Sequence, residues 1–246
     1  MLCLQLFAFN IFAQAKLTNT VIKNDVSVTL NGDSIHFHSN IISDYFIVGT
    51  MNYCRSWEKL YKDDSVIDHY YPAASTRFMK RYIKACYNIT VSEDSLHGFL
   101  YSKELITRLS GILDTNRCVR NYDSLTEPQL LSYLLGVYYS NGYKLTDSIF
   151  SIMPYRLDEH ALFNFLRQAG CNKVYTRYQR GCVPDLTDFY FKASPQLCMY
   201  FKMLEEEKTE LEFSKLNRPL LNEEFRQDIL KGRIEMARKL KAVFDD

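Results

Sequence analysis

The sequence predicts a mainly α protein of the α+β class: a multi-helix domain preceded by a small N-terminal antiparallel β-hairpin sheet. Three observations carry that prediction. An Asn31-Gly32 pair lies between two alternating segments, helix-opening signals recur from about Thr76 onward, and the composition, 47% hydrophobic and 24% charged over 246 residues, is that of a folded chain. The division expected is a signal peptide over 1–15, a β-hairpin region over 16–75 and a helical domain over 76–246, the last two packed as one unit.

The first segment reads as an address. Leu2, Leu4, Leu6, Phe7, Ala8, Phe9, Ile11 and Phe12 form an uncharged run that ends in Ala13-Gln14-Ala15, small residues where signal peptidase needs them. It lacks the usual Lys or Arg before the apolar run, and it is shorter than the ~20 residues that span a bilayer. The expectation is a mature chain that begins at Lys16, is secreted or periplasmic, and has no membrane span.

In the hairpin, Asn-Gly tolerates the positive φ of a type I′ turn, and a two-residue loop sets the register. Leu30 should pair with Asp33, Val28 with Ile35 and Val26 with Phe37. A third strand is expected around Tyr45-Phe46-Ile47-Val48. Farther on, Thr126-Glu127-Pro128-Gln129 is a capping box ahead of Leu130, Leu131, Leu134, Leu135 and Tyr138, with a further helix expected after it. Asp158 or Leu157 opens a helix that Gly170 stops, and Ser194-Pro195 opens one through Leu204. A last helix runs from Asn222 toward Phe244, with Phe225, Ile229, Met236, Leu240 and Val243 on one stripe.

An alternative arrangement of the helices is a set of irregular helical-hairpin repeats. Asp-Ser-aliphatic recurs at Asp64, Asp94, Asp123 and Asp147, at intervals of about thirty residues, the range of such units. Leu135-Gly136-Val137-Tyr138-Tyr139 resembles, once, the Leu-Gly-x-x-Tyr core of a tetratricopeptide unit. The simpler reading is that Asp-Ser marks turns and caps.

Loss of the signal removes Cys3 and leaves Cys54, Cys86, Cys118, Cys171, Cys182 and Cys198. An even number in an oxidising compartment predicts disulfides, with Cys171 and Cys182 the first candidate pair across a short polar and aromatic segment. His36 and His38 share one side of a strand, as ligands in metal-binding strands do, but no third ligand is nameable, so no metal is expected there. A net charge of +1 lacks the basic footprint of nucleic-acid binding. Glycine-rich phosphate loops, the Gly-x-Ser-x-Gly elbow and His-Glu-x-x-His are missing, so no cofactor is expected. The run Glu205-Glu206-Glu207-Lys208 reads as a solvated helix face.

Aromatic residues are the remaining signal. Tyr53, Trp57, Tyr61, Tyr70 and Tyr71 crowd between hairpin and first helix, and Tyr and Trp are enriched at protein interfaces. The functional expectation is an extracytoplasmic, non-enzymatic protein that binds another protein through that segment. Its rivals are a small metal- or thiol-dependent hydrolase and a carbohydrate- or peptide-binding module.

Overall fold

The computed structural model describes residues 26–30, 33–37, 40–51, 66–69, 73–94, 98–113, 119–154, 159–179, 186–218 and 221–245. The hairpin forms as expected: β1 (Val26–Leu30) and β2 (Asp33–Phe37) pair antiparallel with Val26 opposite Phe37, Val28 opposite Ile35 and Leu30 opposite Asp33.

The core is organised by two helices, α1 (Ser43–Thr50) and, far along the chain, α4 (Glu127–Asn141). The Ile42 amide donates to Ser132 Oγ at 2.8 Å, and Ser140 Oγ donates to the Thr50 carbonyl at 3.0 Å. Start meets start and end meets end, so the helices run in the same direction. They cross at two glycines. A Cβ on Gly49 would lie 2.2 Å from the Tyr133 carbonyl oxygen, and one on Gly136 would lie 2.1 Å from that of Phe46. Each glycine therefore meets the backbone three residues before the other, and only a residue without Cβ allows that approach.

The correspondence extends to the elements that follow each of these helices. After α1 come β3 (Val66–His69), α2 (Ala73–Tyr87), β4 (Ser92–Asp94), β5 (Phe99–Tyr101) and α3 (Lys103–Leu109), with strand order β3-β5-β4. After α4 come β6 (Gly142–Lys144), β7 (Ile149–Ile152), α5 (Glu159–Gln168), β8 (Val174–Gln179), β9 (Leu186–Lys192) and α6 (Pro195–Lys202), with strand order β6-β7-β9-β8. Among the described residues the first half runs helix, strand, helix, two strands, helix, and the second repeats that order with β6 added before β7; in each, the last strand is at the centre of the three that correspond. Helices α2 and α5 are each followed by a left-handed residue, Asn88 at φ 57° and Gly170 at φ 80°. Helices α3 and α6 are each capped by a serine, Ser102 Oγ accepting from the Leu105 amide and Ser194 Oγ from the Leu197 amide.

The chain closes with α7 (Glu205–Leu216) and α8 (Glu223–Asp245), for eight α-helices among the described residues. None of them is long and apolar enough to cross a membrane.

Several expectations are corrected. Strands β4 to β9 lie inside 76–246, which is therefore mixed rather than helical. In β7 no alternation shows, because Ile149, Phe150, Ser151 and Ile152 are buried on both faces of the sheet, as fully covered strands are. Residues 45–48 are helical, because Phe46, Ile47 and Val48 are enclosed all round and show no polar side. Strand β6, not a helix, follows α4. The thirty-residue repeat is replaced by the two halves: Asp94 ends β4, Asp123 sits in a 3-10 turn at Tyr122–Ser124, and Asp147 lies between β6 and β7. Gly136 serves the α1–α4 crossing rather than a tetratricopeptide pair.

The capping box of α4 is present, the Thr126 amide donating to Gln129 Oε1 at 2.9 Å. Helix α8 is capped by Asn222, whose Oδ1 accepts from the Phe225 amide. Of its apolar stripe, Met236 and Leu240 dock on the molecule, while Phe225 and Val243 stay exposed.

Candidate interaction surface

The four-stranded sheet of the second half has two unlike faces. One carries Phe150, Ile152, Phe189 and Phe191 into the main core. There Tyr138 of α4 stacks on Phe201 of α6 at 4.1 Å, and Phe150 meets both rings edge-on. The other face is more polar. Tyr143 OH donates to Tyr190 OH, which donates to Asp188 Oδ2 at 3.2 Å, and Leu240 and Phe244 of α8 cover Tyr190 and Ile149.

Strand β8 is the free margin of this sheet. Its inner side pairs with β9 over six residues, from Val174 opposite Phe191 to Gln179 opposite Leu186, and no other strand among the described residues meets its outer side. Tyr175 is 46% exposed and Tyr178 56% exposed. The strand's alternation puts Tyr175 and Arg177 on the polar face, opposite Tyr190 and Asp188, and Val174, Thr176 and Tyr178 on the other. Edge strands are ready templates for further pairing unless they are shortened, charged or interrupted by proline. This one is regular, holds no proline or acid, carries Arg177 as its single charge, and presents large amphipathic rings.

A second cluster closes the end of α4. Lys208 Nζ donates to the Tyr139 carbonyl at 2.8 Å and Lys215 Nζ to the Ser140 carbonyl at 2.8 Å. Two ammonium groups thus neutralise last-turn carbonyls, where the helix dipole is negative. Glu212 bridges them, 3.2 Å from Lys208 and 3.5 Å from Lys215, and its other oxygen takes Arg233 of α8 at 3.0 Å. The Arg233 guanidinium lies 4.2 Å above the Tyr143 ring. Burial pushes the Lys208 ammonium down to about 7 against the pull of Glu212. For Glu212 burial acts upward, but Lys208, Lys215 and Arg233 outweigh it and hold the carboxyl at about 2. The arrangement ties α4, α7, α8 and β6 together around a cavity of about 210 Å³. Lys208 is therefore buried, not part of a solvated face. Glu205 and Glu206 of that run are exposed, Glu205 paired with Lys144 at 2.8 Å.

The thiols are set apart from such chemistry. Cys86, Cys171 and Cys198 are free thiols, and Cys182, the expected partner of Cys171, lies outside the described residues with Cys54 and Cys118. Cys171 lies three residues beyond the end of α5, its amide bonded to the Leu166 carbonyl, and is fully enclosed in the main core as a small apolar residue. Burial raises its thiol to about 11 and that of Cys86 to about 12, the opposite of what a nucleophile needs.

Tyr53, Trp57, Tyr61, Tyr70 and Tyr71 all lie outside the described residues. His36 pairs through its backbone with Ser27, its side chain and His38 being outside them too. Among the described residues no group of three or more His, Cys, Asp or Glu is placed to hold a metal. Sequence reasoning missed β8 and the Lys208 cluster. The spacing of Lys208, Glu212 and Lys215 was the available sign of the cluster, and the alternating Val-Tyr-Thr-Arg-Tyr-Gln that of the strand.

No family model and no curated protein matches the chain. Among solved structures the chain is similar to the crystal structure of I-DmoI in complex with DNA and Ca, at 12% identity and a TM-score of 0.35, over 70% of this chain and 97% of that chain. A likeness of that degree carries no functional argument.

Proposed function

We propose that this chain is an exported, non-enzymatic protein that works by binding another protein, with the β8 margin as a docking surface and the Tyr53–Tyr71 segment as a second contact. The observation that carries the reading is the regular, six-residue edge strand with Tyr175 and Tyr178 standing exposed. A strand added there gains main-chain hydrogen bonds along its length, and the two tyrosines supply area at low entropic cost. The raised thiols of Cys86 and Cys171 weigh against thiol hydrolysis at those positions. They are also compatible with export, since a buried, protonated thiol is slow to oxidise.

Affinity capture with the exported protein, repeated with Tyr175→Ser/Tyr178→Ser and with Trp57→Ala/Tyr61→Ala, tests the surface. Loss of a hot spot should cost on the order of 2 kcal/mol, roughly thirtyfold in affinity. N-terminal sequencing should begin at Lys16. Retention of no partner, or binding unchanged in both double variants, rejects the reading.

A further inference from the structure

We infer that β8 pairs antiparallel with the β8 of a second copy of this chain, about a two-fold axis at Thr176, joining two four-stranded sheets into one. This deepens the protein-binding reading and rests on it.

Directly opposed residues of a continuous antiparallel sheet lie on the same face, so a two-fold axis must pass through a residue of the strand. Among the central axes, those that leave most of β8 paired, the sequence discriminates sharply. An axis at Arg177 sets two guanidinium groups against each other, and one at Tyr175 sets Lys173 against Arg177, both like-charge pairs that destabilise a sheet. An axis at Thr176 avoids these contacts. It places Tyr175 opposite Arg177 of the second copy, a ring beside a cation, and Val174 opposite Tyr178, a β-branched residue beside an aromatic one. Both pairs occur twice by symmetry, and the central pair is Thr with Thr. Every opposed pair is of a kind found favourable across strands.

The first half supplies the contrast. Its equivalent margin, β4, has three residues, Ser92-Glu93-Asp94, with Glu93 held by Lys80 at 2.7 Å. That edge is short and acidic, as protected edges are. The longer β8 is neither short nor acidic, and its single charge is Arg177.

The experiment uses the full-length chain. Light scattering across a wide concentration range should show a monomer passing to a dimer, and Thr176→Lys, which sets two ammonium groups on the axis, should weaken that association at least thirtyfold with an unchanged circular dichroism spectrum. Thr176→Cys should oxidise to a dimer linked through residue 176, because opposed Cα atoms about 4.5–5.5 Å apart suit a disulfide. Lys173→Cys should not link, since in this register the two copies of residue 173 lie about 20 Å apart. A monomer at every concentration, or a dimer indifferent to Thr176→Lys, overturns the inference. If the monomer still loses a different protein partner in the Tyr175→Ser/Tyr178→Ser variant, the binding reading survives without it; if it binds nothing, both fail.

Discussion

The two halves of this molecule follow the same course of helices and strands, yet only the second is elaborated. The first makes a three-stranded sheet with short strands and a charged margin. The second adds β6, lengthens β8 and β9, and receives α7 and α8, whose cations close the end of α4. Equivalent architecture therefore leaves unequal margins: the first half ends its sheet in a short acidic strand, and the second in a six-residue strand with Tyr175 and Tyr178 exposed.

The comparison is most severely tested at the helix crossing. Gly49→Ala and Gly136→Ala should each cost roughly 4 kcal/mol in urea denaturation, high for overpacking because the atom met is backbone and cannot turn aside. The two costs should agree, and the double variant should cost less than their total, since separated helices accept the second methyl freely. A large inequality would break the equivalence of the halves.

Removal of the acid that only the second half possesses comes next. Glu212→Gln leaves Lys208, Lys215 and Arg233 without their shared carboxylate and should destabilise by about 3 kcal/mol. Proteolysis should then release α8 before the main core opens.

The same cluster makes stability depend on pH. Lys208 has a folded value of about 7, below its unfolded value of about 10.4, so between those limits the unfolded chain binds more protons. Stability should therefore rise with pH from about 7 to 10, by at most about 1.4 kcal/mol per unit, and Lys208→Met should flatten the rise. Glu212 acts at the other end: its folded value of about 2 lies below the unfolded one, so its contribution is complete above about 4.3 and is lost as pH falls toward 2.

The smallest effect sharpens the comparison of caps. Ser102→Ala should cost about 1 kcal/mol. Ser194→Ala should cost more, because Ser194 Oγ also donates to the Ala169 carbonyl at 2.6 Å and holds the end of α5. Thermal melts of the two variants side by side measure the difference.

What the sequence determined by itself was wherever a local signal is complete within a few residues. Asn31-Gly32 set the hairpin register, Thr126 with Gln129 opened α4, Ser194-Pro195 opened α6, and Gly170 ended α5, since turns and caps are satisfied by their own neighbours. Helix α1 escaped because complete burial erases the polar side that periodicity needs, and β7 escaped for the same reason. The candidate surface was legible only as alternation along Val174–Gln179; that this strand lies at a margin follows from the β6-β7-β9-β8 order. Only the tertiary structure decided that Gly49 and Gly136 meet, that Lys208 leaves an acidic run to neutralise the end of α4, and that Cys171 is an enclosed free thiol. Each depends on residues far apart in the chain, and the physical need that joins them, room for backbone, a countercharge or an apolar enclosure, exists only once the helices and sheets have packed.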